Sequence, residues 1–71
     1  MNREEAFRTM QNGGYVTHPK LIEAGIGPLS LVGNIICEKY HRPIAAKWKM
    51  QIDSVIFNSD WLVCDKDGIP I

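Results

Sequence analysis

Leu29-Ser30-Leu31-Val32-Gly33-Asn34-Ile35-Ile36-Cys37-Glu38-Lys39-Tyr40 is the stretch on which the fold turns. Two periods fit it. Leu29, Leu31, Ile35 and Cys37 alternate as a half-buried strand does, and Leu29, Val32, Ile36 and Tyr40 also share a helical face. Gly33-Asn34 decides between them. Glycine inside a helix costs about 1 kcal/mol relative to alanine, whereas a Gly/Asn pair between two β-rich runs suits a tight hairpin or a bulge. Strands are therefore expected here. A helix-turn-helix, which would need these residues helical, is disfavoured.

Toward the N-terminus, Asn2 is a good N-cap and Glu5 follows at capping-box spacing. Ala6, Phe7 and Met10 share one helical face, with Glu4, Arg8 and Gln11 largely opposite. Asn12-Gly13-Gly14 stops the helix, which should span residues 3–11. A helix this short must pack on something to persist. Tyr15, Val16 and Thr17 are β-formers and predict a short strand, which Pro19 ends or confines to an edge. Residues 20–28 read as a loop with room for one helical turn at 20–24, broken by Gly25, Gly27 and Pro28.

Toward the C-terminus, Ile44, Ala46, Trp48 and Met50 alternate with Ala45, Lys47 and Lys49, the pattern of a half-buried strand with two lysines outward. Residues 52–57 suit a helical turn or a connecting strand. Asn58-Ser59-Asp60 is a turn cluster. Trp61, Leu62, Val63 and Cys64 predict the last strand, Asp65-Lys66-Asp67-Gly68 a turn, and Ile69-Pro70-Ile71 an apolar tail that docks on a neighbour. The expected fold is α+β, a short N-terminal helix packed on a small curved antiparallel β-sheet, with residues 1–71 forming a single domain.

Composition narrows the function classes. The 45% hydrophobic and 23% charged fractions are those of a folded domain. At 71 residues the chain buries only about 60% of its unfolded surface, so self-association is a natural route to stability. The formal net charge is zero, which argues against double-stranded nucleic acid as a partner. Charge is nevertheless segregated. Lys39, Arg42, Lys47 and Lys49 face Glu38 alone in the middle, and Asp53, Asp60, Asp65 and Asp67 face Lys66 at the end. Neither an apolar leader nor a run of about 20 apolar residues is visible, so no membrane association is expected. The two cysteines, Cys37 and Cys64, have no redox or zinc-ribbon spacing and read as core residues of a cytoplasmic protein.

Catalysis finds no footing in this pattern. Cys37, Cys64, His18 and His41 do not fall into a nucleophile–base arrangement, so a non-enzymatic protein is expected. Cys37 and His41 are zinc-type ligands, but one loose pair does not make a site, and no metal or cofactor is expected. Nucleotide binding is the sharper prospect. Lys20, Lys39, His41, Arg42, Lys47 and Lys49 offer cations, and Tyr15, Tyr40 and Trp48 offer stacking planes. Each has a plainer reading: Trp48 as core, the lysines as solvated surface.

Several features in order resemble the Thoeris anti-defence type two family of small phage proteins. They are Glu5-Ala6-Phe7-Arg8-Thr9-Met10, then Asn12-Gly13-Gly14-Tyr15-Val16-Thr17-His18, Trp48, and Asp60-Trp61-Leu62-Val63. Where that family often carries a glycine-tryptophan-asparagine-glycine segment after its first strand, His18-Pro19-Lys20-Leu21-Ile22 stands here. The resemblance implies a helix on an antiparallel sheet, assembled as a homo-oligomer in the bacterial host cytoplasm. It also implies sequestration of a nucleotide-derived immune signalling molecule at subunit interfaces. On that reading Tyr15, His18, Lys20, Arg42, Trp48 and Lys49 are the ligand contacts and Trp61 is structural. A small inhibitor of a host protein on the same scaffold is the alternative, and a small nucleic-acid-binding regulator a third.

Overall fold

Asn2 starts α1 (Arg3–Gln11) with a full capping box: its side chain accepts from the Glu5 N–H at 2.8 Å, and the Glu5 carboxylate accepts from the Asn2 N–H at 3.0 Å. The structure is a computed structural model that describes residues 1–38 and 42–71. After α1 come β1 (Tyr15–Thr17), α2 (Pro19–Glu23), β2 (Ser30–Val32), β3 (Ile35–Glu38), β4 (Arg42–Pro43), α3 (Ala46–Ile52), a 3-10 turn (Val55–Phe57) and β5 (Leu62–Cys64). The fold is α+β, with an N-terminal helix and small antiparallel sheets.

The strands form two ladders, β1–β5 and β2–β3–β4, both antiparallel. Val16 and Leu29 join them, exchanging backbone hydrogen bonds of 3.0 and 2.8 Å in both directions. A strand turns alternate backbone groups to opposite sides. Tyr15 and Thr17 therefore serve β5 while Val16 serves the segment leading into β2. The bridge links the two ladders into one continuous β surface, and α1 packs against β1, β2 and β5. Ala6 and Met10 from α1, Val16, Leu29, Leu21, Ile52, Phe57 and Trp61 form the buried core.

The Gly33-Asn34 reading holds. Val32 pairs with Ile35 across a two-residue turn, and Gly33 takes φ 63° while Asn34 stays at negative φ. Glycine first at positive φ is the type II′ pattern, which matches strand twist. Both outer edges of the surface end in proline. Pro43 on β4 and Pro70 on the tail occupy non-hydrogen-bonded positions, because the ladder bonds come from their neighbours (Ile44 N–H to Ile36 O, Ile71 N–H to Val63 O). Each proline thus points its missing donor outward and blunts the edge against another strand.

The alternation over residues 44–50 predicts a strand, and the structure corrects it: residues 46–52 are helix α3. Alanine, lysine, methionine and glutamine are strong helix formers, and Trp48 and Ile52 at i, i+4 supply the inward face. The correction moves Met50 from an expected inward position to 77% exposure. The helical turn foreseen at 20–24 becomes α2, one residue earlier, because Pro19 takes the first helical position rather than ending a ladder. The last strand begins at Leu62 rather than Trp61. No helix among the described residues is long and apolar enough to cross a membrane.

Candidate functional site

Helix α2 starts at Pro19, and the i, i+3 spacing puts Lys20 and Glu23 on one side of it. Helix α3 does the same for Trp48 and Gln51. These pairs line a cleft of about 320 Å³, with Phe57 and Ile56 of the 3-10 turn completing its lining. Phe57 is fully buried and forms the floor, Trp48 is half-buried, and Ile56 stands 54% exposed at the rim. Outside this lining, the Lys47 ammonium lies 6.0 Å from the Trp48 ring centroid. One aromatic plane, a cation, a carboxylate and an amide thus converge on a hollow that is open on one side. Such a set suits a flat, polar molecule, with its ring on Trp48, acceptors toward the ammonium and donors toward the carboxylate.

The other expected contacts lie elsewhere. His18 is buried, 3% exposed, with both ring nitrogens engaged: Nδ1 accepts from the Lys20 N–H at 3.1 Å, and Nε2 lies 2.8 Å from the Ser59 carbonyl. It caps α2 and packs against Phe57, tilted at a centroid distance of 4.6 Å, and against Trp61, edge to face at 5.2 Å. Tyr15 sits half-buried in β1 opposite Cys64. Arg42 is exposed on β4 and lies 3.9 Å from the Glu38 carboxylate. Lys49 lines a different hollow, of about 380 Å³, between α1, the β2–β3 hairpin and α3. The structure therefore unites Lys20 with Trp48 and leaves the rest apart. Lys39, Tyr40 and His41 lie outside the described residues.

Trp61 is structural. It is 2% exposed, and its Nε1–H donates to the Phe57 carbonyl at 2.7 Å. Cys37 and Cys64 are buried free thiols. Burial, with the Asp65 carboxylate beside it, pushes the Cys64 thiol up to about 11, so it is a poor nucleophile at neutral pH. No group of three or more metal-ligating side chains gathers among the described residues. Glu23 and Gln51 are the cleft residues that sequence reasoning missed. Their signal was the i, i+3 spacing from Lys20 and Trp48, visible only once both segments are helices. No family model, curated protein or solved structure matches this chain.

Proposed function

We propose that the protein is a non-enzymatic binding module that captures a nucleotide-derived signalling molecule in the Lys20–Trp48 cleft. The observation that carries the reading is the placement of a half-buried indole and an ammonium on facing helices of one open hollow. A base stacks on Trp48, a phosphate pairs with Lys20, and Glu23 and Gln51 meet base or ribose edges. The cleft lacks an outer wall, and the exposed Ile56 at its rim suits closure by a second copy. With proline on both sheet edges, that copy approaches through helices or a sheet face rather than by strand addition. In the setting implied by the resemblance to the Thoeris anti-defence type two family, the captured molecule is an immune messenger. The protein is then a phage counter-defence sponge in the host cytoplasm.

Thermal melting with cyclic di- and trinucleotides and cyclic ADP-ribose isomers tests this. A ligand at a hundred times its Kd stabilises the native state by about 2.7 kcal/mol. At least one compound should raise the Tm and quench Trp48 fluorescence, and Lys20→Gln should weaken it. A panel without any shift removes the proposal. A second reading, an inhibitor of a host protein, is favoured by Met50 and Val55, large apolar side chains each 77% exposed. It predicts a host enzyme whose capture depends on Met50, with no nucleotide response.

A further inference from the structure

The larger hollow has a different chemistry from the Trp48 cleft. Phe7 of α1, Leu31 of β2, Ile36 of β3 and Ile44 line it, and Ile44 is buried while the other three are only half-covered. These side chains pack on the core, so the hollow is a place where the core is left open on one side. Gln11, Asn34 and Lys49, all exposed, stand at its mouth. Lys49 is the one charged residue in the lining among the described residues, and no carboxylate joins it there. Successive positions of α3 are about 100° apart, so Lys49 serves this hollow while Trp48 serves the other.

We infer that this hollow is a second small-molecule site, taking a linear amphipathic monocarboxylate. The alkyl chain lies on Phe7, Leu31 and Ile36, and the carboxylate meets the Lys49 ammonium and the Gln11 and Asn34 amides. The volume of about 380 Å³ falls in the range of small-molecule pockets. An apolar floor with a few polar groups at its exposed rim is the pattern that fixes a chain by burial and its head by charge. The Lys49 charge selects an acid over an alcohol or an amine. The site stands independently of the nucleotide reading, because the two hollows share no lining residue.

The test is titration of the intact chain with butanoate, hexanoate and octanoate, with 1-octanol and octylammonium as controls, followed by methyl NMR. Shifts should concentrate on Leu31, Ile36 and Ile44, and each added methylene should tighten binding by about three- to fourfold. Octanoate should bind better than octanol, and octylammonium worst. Lys49→Gln, an exposed substitution, should weaken octanoate at least threefold and erase its advantage over octanol, and Lys49→Arg should retain it. Absent methyl shifts, equal binding of acid and alcohol, or an indifferent Lys49→Gln would each overturn the assignment.

Discussion

His18 donates from Nε2 to the carbonyl of Ser59, 2.8 Å away across 41 residues of sequence. The direction follows from its other nitrogen. Nδ1 accepts the Lys20 N–H, so the ring proton of the neutral imidazole resides on Nε2. One side chain therefore starts α2 and ties it to the turn that delivers Trp61. Replacing His18 with alanine removes both bonds and the contacts with Phe57 and Trp61. The unfolding free energy in urea should fall by about 3 kcal/mol, within the range for truncating a buried aromatic. Lys20→Gln, on the exposed side of the same helix, should change it by less than about 0.5 kcal/mol.

Arg3 is the second long-range tie. Its Nη1 donates to the Ile52 carbonyl at 2.7 Å and the Ser54 carbonyl at 3.1 Å, so the first turn of α1 caps the C-terminal end of α3. Arg3→Gln should cost about 1–3 kcal/mol by chemical denaturation, since these bonds are charge-assisted. An unchanged midpoint would show that the guanidinium carries no part of the α1–α3 contact.

Ser54 presents the opposite case. Its Oγ is buried and has no hydrogen-bond partner among the described residues. A buried hydroxyl without a partner opposes folding, so Ser54→Ala should leave stability unchanged or raise it by up to about 1 kcal/mol. A marked loss of stability in calorimetry would mean that the hydroxyl is bonded in solution.

Cys64 sets a pH limit. Folding raises its pKa from 9.0 to about 11, chiefly by burial. Between those values the unfolded chain has lost a proton that the folded chain retains. The stability that this group contributes is therefore complete below about pH 9 and is lost as pH rises toward 11. Urea midpoints should decline over that interval, and Cys64→Ala should decline less steeply. Equal slopes for the two proteins would exclude Cys64 as the group responsible.

The edge prolines can be tested by removal. Pro70→Val and Pro43→Val each give an outer strand an outward N–H. Sedimentation velocity should show larger species growing with concentration in either variant, while the parent keeps its own distribution. Variants indistinguishable from the parent would mean that proline is not what guards these edges.

The elements that sequence reasoning places correctly are those with local signals. Asn2 and Glu5 specify the start of α1 within four residues, and Asn12-Gly13 its end. Gly33-Asn34 fixes a two-residue turn and thereby the register of β2 against β3. Residues 44–50 carry no such punctuation, and their apolar positions satisfy either period. Burying Trp48 and Ile52 together, i and i+4, favours the helix, and that pairing depends on what α3 packs against. The candidate site inherits the same ambiguity. Lys20 and Trp48 are legible as a cation and a plane, but their meeting requires both of their segments to be helical. His18 looked like a ligand contact because the carbonyl that occupies it is supplied by Ser59, far along the chain.

Capping, glycine conformation and β-propensity act over a few residues, so the amino-acid order was sufficient for α1, β1, the β2–β3 hairpin and the α+β class. The choice of helix for residues 46–52, the burial of His18 and the two open hollows arose from contacts between distant segments. Those contacts are won by apolar burial shared across the whole core, a quantity that no short window of residues contains.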